Sequence, residues 1–166
     1  MRKKLQEIGS TERHFFQGTF IRSGFKTYQE HHNPTLLLGN ILDETQQLVT
    51  EHLWFNYTLG FLRLGELRRG DRVTFAARVA SYQKGHWFDR QQDFRLTRPT
   101  RISRVDETER KHHALPIANK RALIGYIMCM NEAFYRENGR PFEDYYVAEF
   151  KQWWQTKTGT PFSVDH

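Results

Sequence analysis

The sequence predicts an α+β chain in which a five-stranded antiparallel β-barrel is followed by a C-terminal pair of helices. Three observations carry this expectation. Between about residues 14 and 105, Phe, Val, Ile and Thr gather in short runs, the clearest alternating with a period of two. After Asp106 the apolar spacing lengthens to three and four residues, the period of a helix. The connections between the strand-like runs are irregular, which suits a small barrel better than a sandwich.

The elements follow in order. Residues 1–11 form a basic N-terminal segment, residues 12–105 the barrel and residues 106–166 the helical extension. His14–Phe25 is the first strand, with Gly18 marking a bulge or tight bend. Lys26–Pro34 reads as a polar loop ending in the turn-favouring Asn33-Pro34. Thr35–Leu42 is the second strand and Leu48–Tyr57 the third. In the third, Val49, Leu53 and Phe55 share one face while Thr50, His52 and Trp54 share the other. Leu59–Leu67 has room for one or two helical turns.

The fourth strand, Arg72–Tyr82, is the clearest, with Val73, Phe75, Ala77 and Val79 on one face. The turn Arg69-Gly70-Asp71 introduces it. Gln83–Gln92 is a loop, and Asp93–Val105 the fifth strand. Pro99 has no N–H to give to a ladder, so this strand belongs at an edge or bulges. Residues 107–113 are a charged linker or the start of a helix. Ile117–Asn138 is one helix, stopped by Gly139. A second opens after Pro141, with apolar positions Phe142, Tyr146, Phe150, Trp153 and Trp154, and closes at Gly159 and Pro161. No internal repeat or low-complexity tract is read in the chain.

Composition narrows the class. With 38% apolar, 14% aromatic and 27% charged residues, the chain is too aromatic to be disordered. No apolar run reaches the roughly 18 residues of a membrane span. The basic start, Met1-Arg-Lys-Lys-Leu-Gln-Glu, has no apolar stretch behind it, so no signal peptide is expected and a cytoplasmic location is. One cysteine, Cys129, excludes an internal disulfide and a multi-cysteine metal site. The net charge of +6 is uneven: +2 in residues 1–11, +5 in 12–105 and −1 in 106–166. Such localised positive charge outlines a polyanion binder, and equally a solvated basic surface.

The strand order, the Gly-Asp turn before the fourth strand and the basic Lys84-Gly85 loop after it resemble an OB-fold. The stretch Leu67-Arg-Arg-Gly-Asp-Arg-Val-Thr-Phe-Ala-Ala-Arg-Val79 is similar to the fourth strand of such barrels. The short connection between strands three and four also fits an SH3-like barrel. OB-folds bind oligonucleotides or oligosaccharides on the face of strands two and three and with two flanking loops. The resemblance therefore implies binding loops at Lys26–Pro34 and Gln83–Gln92. The first offers Lys26, Tyr28, His31 and His32. The second offers Lys84, His86, Trp87, Phe88 and Arg90.

Cations that follow phosphates and rings that stack on bases are what single-stranded nucleic acid requires. The expected site is therefore Lys26, Arg78, Lys84 and Arg90 for capture, with Tyr28, Trp54 and Trp87 for stacking. The rings have an alternative, folding back over the barrel or covering an edge. The adjacent pairs His31-His32 and His112-His113 do not have metal-ligand spacing, and no phosphate-cradling or nucleophile motif is present. No metal, cofactor or catalytic residue is expected, and Cys129 reads as an inert buried thiol. Tyr145, Tyr146, Phe150, Trp153 and Trp154 exceed what one face of a short helix buries. They either pack on the barrel or form a surface for a second copy or a protein partner. A protein-interaction module is accordingly the rival function.

Overall fold

Long strands dominate the N-terminal two-thirds, because segments expected as loops are themselves extended. The computed structural model describes residues 3–84, 91–105 and 111–164, with the side chains of 82–84 and 91–93 excepted. Its elements are α1 (Lys3–Ile8), β1 (His14–Tyr28), β2 (His31–Leu42), β3 (Leu48–Asn56) and α2 (Leu59–Leu62), then β4 (Arg72–Lys84), β5 (Gln91–Val105), α3 (Lys120–Met130), α4 (Glu132–Glu137) and α5 (Asp144–Thr158). The strands form one antiparallel sheet in the order β3-β2-β1-β4-β5.

The α+β class holds, but the sheet is not closed into a barrel. Closure would require β3 and β5 to pair, and they stand at opposite edges. The sequence of β5 suits an edge: it carries Pro99, four arginines and two register shifts against β4.

The expected Lys26–Pro34 loop also does not form. β1 runs on to Tyr28 and β2 begins at His31, leaving a two-residue connection, Gln29-Glu30, with φ of 47° and 67°. Left-handed backbone at both central residues is the geometry of a tight hairpin turn whose twist matches its strands. Strand pairing thus overrides the Asn33-Pro34 turn signal. Pro34 lies inside β2, and its carbonyl accepts a 2.9 Å bond from the Tyr57 N–H.

The chain divides into two compact units. The first comprises residues 1–21, 37–54 and 67–111. Its core contains Phe16, Phe20, Leu38, Ile41, Val49, Leu53, Val73, Phe75, Ala77, Val79 and Leu96. The rings of Phe16 and Phe75 stack at 6.1 Å. The alternation expected in β3 and β4 is observed: Val49, Leu53 and Phe55 are buried in β3, and Val73, Phe75, Ala77 and Val79 in β4. Gly18 serves close packing rather than a bend, since a Cβ there would lie 3.0 Å from both Ile41 and Leu38. Leu5 of α1 is fully buried, so the N-terminal basic segment contributes a core residue.

The second unit comprises residues 22–36, 55–66 and 112–166. The expected single helix over Ile117–Asn138 is two. Asn119 caps α3, its side chain accepting from the Ala122 N–H at 3.0 Å. Asn131 ends it: its Nδ2 donates to the Ile127 carbonyl at 2.7 Å and to Ser23 Oγ at 3.2 Å, competing with the helical ladder. α4 closes at Gly139 (φ 62°), where the Arg140 N–H returns to the Tyr135 carbonyl at 2.8 Å, and α5 closes at Gly159 (φ 76°), as the sequence predicts.

α3 and α5 cross at Gly125, where a Cβ would come within 1.9 Å of the Tyr146 carbonyl oxygen. The aromatic excess of α5 is taken up in this unit. Phe150 is fully buried and contacts Tyr126, Trp153, Trp154 and Phe162, with Phe162 4.8 Å away after the chain turns at Gly159. Tyr145 alone among the five expected rings is more than half exposed, at 53%.

Candidate nucleic-acid interface

A cleft of mixed polar and apolar lining opens on the first unit, with a volume of about 410 Å³. β1 contributes Thr19 and Ile21 to it, β2 Asn40, and β3 Glu51 and His52. Arg69 borders it from a turn that the local sequence builds. Gly70 takes φ of 98°, the Arg68 N–H donates to Asp71 Oδ2 at 2.8 Å, and the Asp71 N–H donates to the Arg68 carbonyl at 2.9 Å. Two bonds tie this turn to β1: Gly70 N–H to the Phe20 carbonyl, 2.9 Å, and Phe20 N–H to the Asp71 carbonyl, 2.7 Å. Asn40, at φ of 47°, interrupts the alternation of β2 so that Leu38 and Ile41 are both buried while Asn40 is exposed. The cleft therefore mixes one cation, one carboxylate and an imidazole. Glu51 opposes a phosphate here, so the cleft suits the polar edge of a base or sugar better than the charged backbone.

Trp54 continues the outward face of β3 two residues beyond His52 and is 48% exposed. Arg78 is exposed on β4 opposite Thr97 of β5, with β2 and β1 between its strand and that of Trp54. In the second unit, Lys26 and Tyr28 are exposed at the end of β1, Tyr28 by 69%. They alternate onto the same side of the strand beside the Gln29-Glu30 turn. Lys84 ends β4, its backbone paired with Gln91. The Lys84 side chain, Trp87 and Arg90, with His86 and Phe88, lie outside the described residues.

His31 is exposed, but His32 is absorbed by packing. Its ring sits 4.7 Å from Phe25 and 5.2 Å from Tyr146, with Nδ1 2.8 Å from Thr27 Oγ1 and Nε2 3.9 Å from Glu143. Three arginines of the second unit likewise lie over rings: Arg22 over Phe134 at 4.2 Å, Arg136 over Phe142 at 4.3 Å and Arg121 over Tyr145 at 6.0 Å. Burial pushes the Cys129 thiol up to about 11, which keeps it protonated at neutral pH. Among the described residues, no three His, Cys, Asp or Glu side chains gather to hold a metal ion, and no helix is long and apolar enough to cross a membrane.

Reading each residue type by itself misses the arginines of β5. Arg95, Arg98, Arg101 and Arg104 recur every three residues, in the series Arg-Leu-Thr, Arg-Pro-Thr, Arg-Ile-Ser, Arg-Val-Asp. This short period is visible in the sequence, contrary to the absence of repeats read there. Its meaning depends on the register of an edge strand. No family model, no curated protein and no solved structure matches the chain.

Proposed function

We propose that the chain is a non-enzymatic binder of single-stranded nucleic acid. The observation that carries this reading is the outward face of β3, where Trp54, 48% exposed, follows His52 at the border of a cleft that also contains Arg69. An exposed indole beside hydrogen-bonding groups supports base stacking, worth about 1–3 kcal/mol per base and indifferent to sequence. The net charge of +5 over residues 12–105 supports the electrostatic part. Arg78, Lys26 and Tyr28 are exposed, as this function needs. The rival, a docking role for the helices, started from five aromatic residues, of which Phe150, Trp153 and Trp154 pack on one another while Tyr145 is exposed.

The test is tryptophan fluorescence on titration with a dT oligonucleotide of about 20 nucleotides at low and moderate salt. Saturable quenching that weakens with salt is expected. It should diminish in Trp54→Phe, because Trp54 is exposed whereas Trp154 is buried. No quenching at low salt, where electrostatic binding is strongest, overturns the proposal.

A further inference from the structure

We propose that the β5 edge is a phosphate track, on which Arg98 and Arg101 hold the sugar–phosphate backbone of single-stranded nucleic acid. This rests on the function proposed above and adds a site of different chemistry, without rings.

The argument begins with register. Thr97 pairs with Arg78, Thr100 with Ala76 and Ser103 with Thr74. Three residues of β5 therefore advance along two of β4, twice in succession, and each step contains a bulge. In a regular strand, side chains three apart point to opposite faces. Here each bulge absorbs the odd residue, and the three-residue period of the arginines matches the two-residue pleat of the partner strand. Arg98 and Arg101 consequently occupy equivalent positions: each is the residue after a Thr paired to β4, each has φ of 50°, and both are exposed. The repeat advances about 6.8 Å along the sheet, two residues of antiparallel rise. That is close to the separation of successive phosphates in an extended strand.

Backbone strain supports the reading. Left-handed φ at a non-glycine residue costs on the order of 1 kcal/mol, and glycine or asparagine would relieve it. The chain places arginine there twice. Arg13 holds the distortion in place, its guanidinium donating to the carbonyls of Ala76 and Arg98 and to Thr100 Oγ1. Bulges, proline and charge also protect an edge from pairing with another chain. Protection alone does not require equal spacing of the cations, whereas a phosphate row does.

The experiment compares wild type with Arg98→Asn/Arg101→Asn and Arg98→Lys/Arg101→Lys. Asparagine tolerates the left-handed backbone, so the first variant keeps the bulges, and urea unfolding checks that it does. Anisotropy of labelled dT and dA 20-mers is followed from about 50 to 200 mM salt. The asparagine variant should lose roughly tenfold in affinity for both oligonucleotides, and its log–log salt slope should flatten by about 1.4. Trp54 quenching at saturation should persist. The lysine variant should keep most of the slope. If wild type binds and the asparagine variant binds with the same slope, the track is overturned and the face of β3 stands, whether or not the variant aggregates. If wild type binds neither oligonucleotide, both proposals fall.

Discussion

Arg13 and Thr100, 87 residues apart in sequence, are joined by a 3.0 Å hydrogen bond from guanidinium Nη2 to Oγ1. The same nitrogen donates to the Ala76 carbonyl at 3.1 Å and to the Arg98 carbonyl. One half-buried side chain thus ties β4 to the first bulged step of β5.

Arg13→Ala should therefore destabilise the chain by about 1–2 kcal/mol, since bonds from a charged donor are among the stronger ones and this one is partly solvated. Urea midpoints measure the effect, and faster amide exchange confined to residues 97–103 would locate it. An unchanged midpoint with unchanged exchange would show that the bulges stand without Arg13.

Gly125→Ala should be more severe. The added methyl would lie 1.9 Å from the Tyr146 carbonyl and 2.9 Å from Phe150 Cβ, and a carbonyl on a helix does not step aside as a side-chain tip does. Separating α3 from α5 should cost at least about 3 kcal/mol. Calorimetry should show a fall in Tm of several degrees or more, and a variant as stable as wild type would mean that the two helices slide freely.

Trp54→Ala should weaken binding of a dT 20-mer roughly 5- to 150-fold, the equivalent of about 1–3 kcal/mol of stacking, and leave the salt slope unchanged. Arg78→Ala should behave in the opposite sense, with a modest loss in affinity and a slope flatter by about 0.7. A salt-slope change in Trp54→Ala with none in Arg78→Ala would reverse the two roles.

Alkaline pH should destabilise the fold. Burial pushes the Cys129 thiol from 9.0 to about 11, Lys151 and Glu132 acting in lesser measure. Burial, with the Glu66 carboxylate beside it, raises the phenol of Tyr57 above its usual 10.0. Both groups bind their protons more tightly in the native chain than in the unfolded one. Their contribution is complete below pH 9 and is lost as pH rises, first through the thiol and then through the phenol. Urea midpoints should hold from pH 7 to 8.5, fall by pH 10.5, and fall less in Cys129→Ala and Tyr57→Phe. A midpoint constant through pH 10.5 would contradict this.

Strand faces and edge character are legible locally. The faces of β3 and β4 follow from a period of two, and Val49, Leu53, Phe55, Val73, Phe75, Ala77 and Val79 are buried as that period requires. Pro99 marked β5 as an edge or bulged strand, and it is both. Of the proposed site, exposure of Trp54, Arg78, Lys26 and Tyr28 agrees with their polar neighbourhoods. The burial of His32 between Phe25 and Tyr146 does not, because its partner on α5 lies more than a hundred residues away.

The sequence by itself determined the strand and helix periods, the glycine stops at 139 and 159, and the concentration of positive charge in residues 12–105. Only the tertiary structure decided that the sheet stays open, that Gln29-Glu30 replaces a loop, that Leu5 joins the core and that Arg98 and Arg101 occupy equivalent positions. The reason is physical. A period needs only neighbours a few residues apart, whereas closure, register and the alignment of a bulge depend on which distant segment supplies the hydrogen bonds.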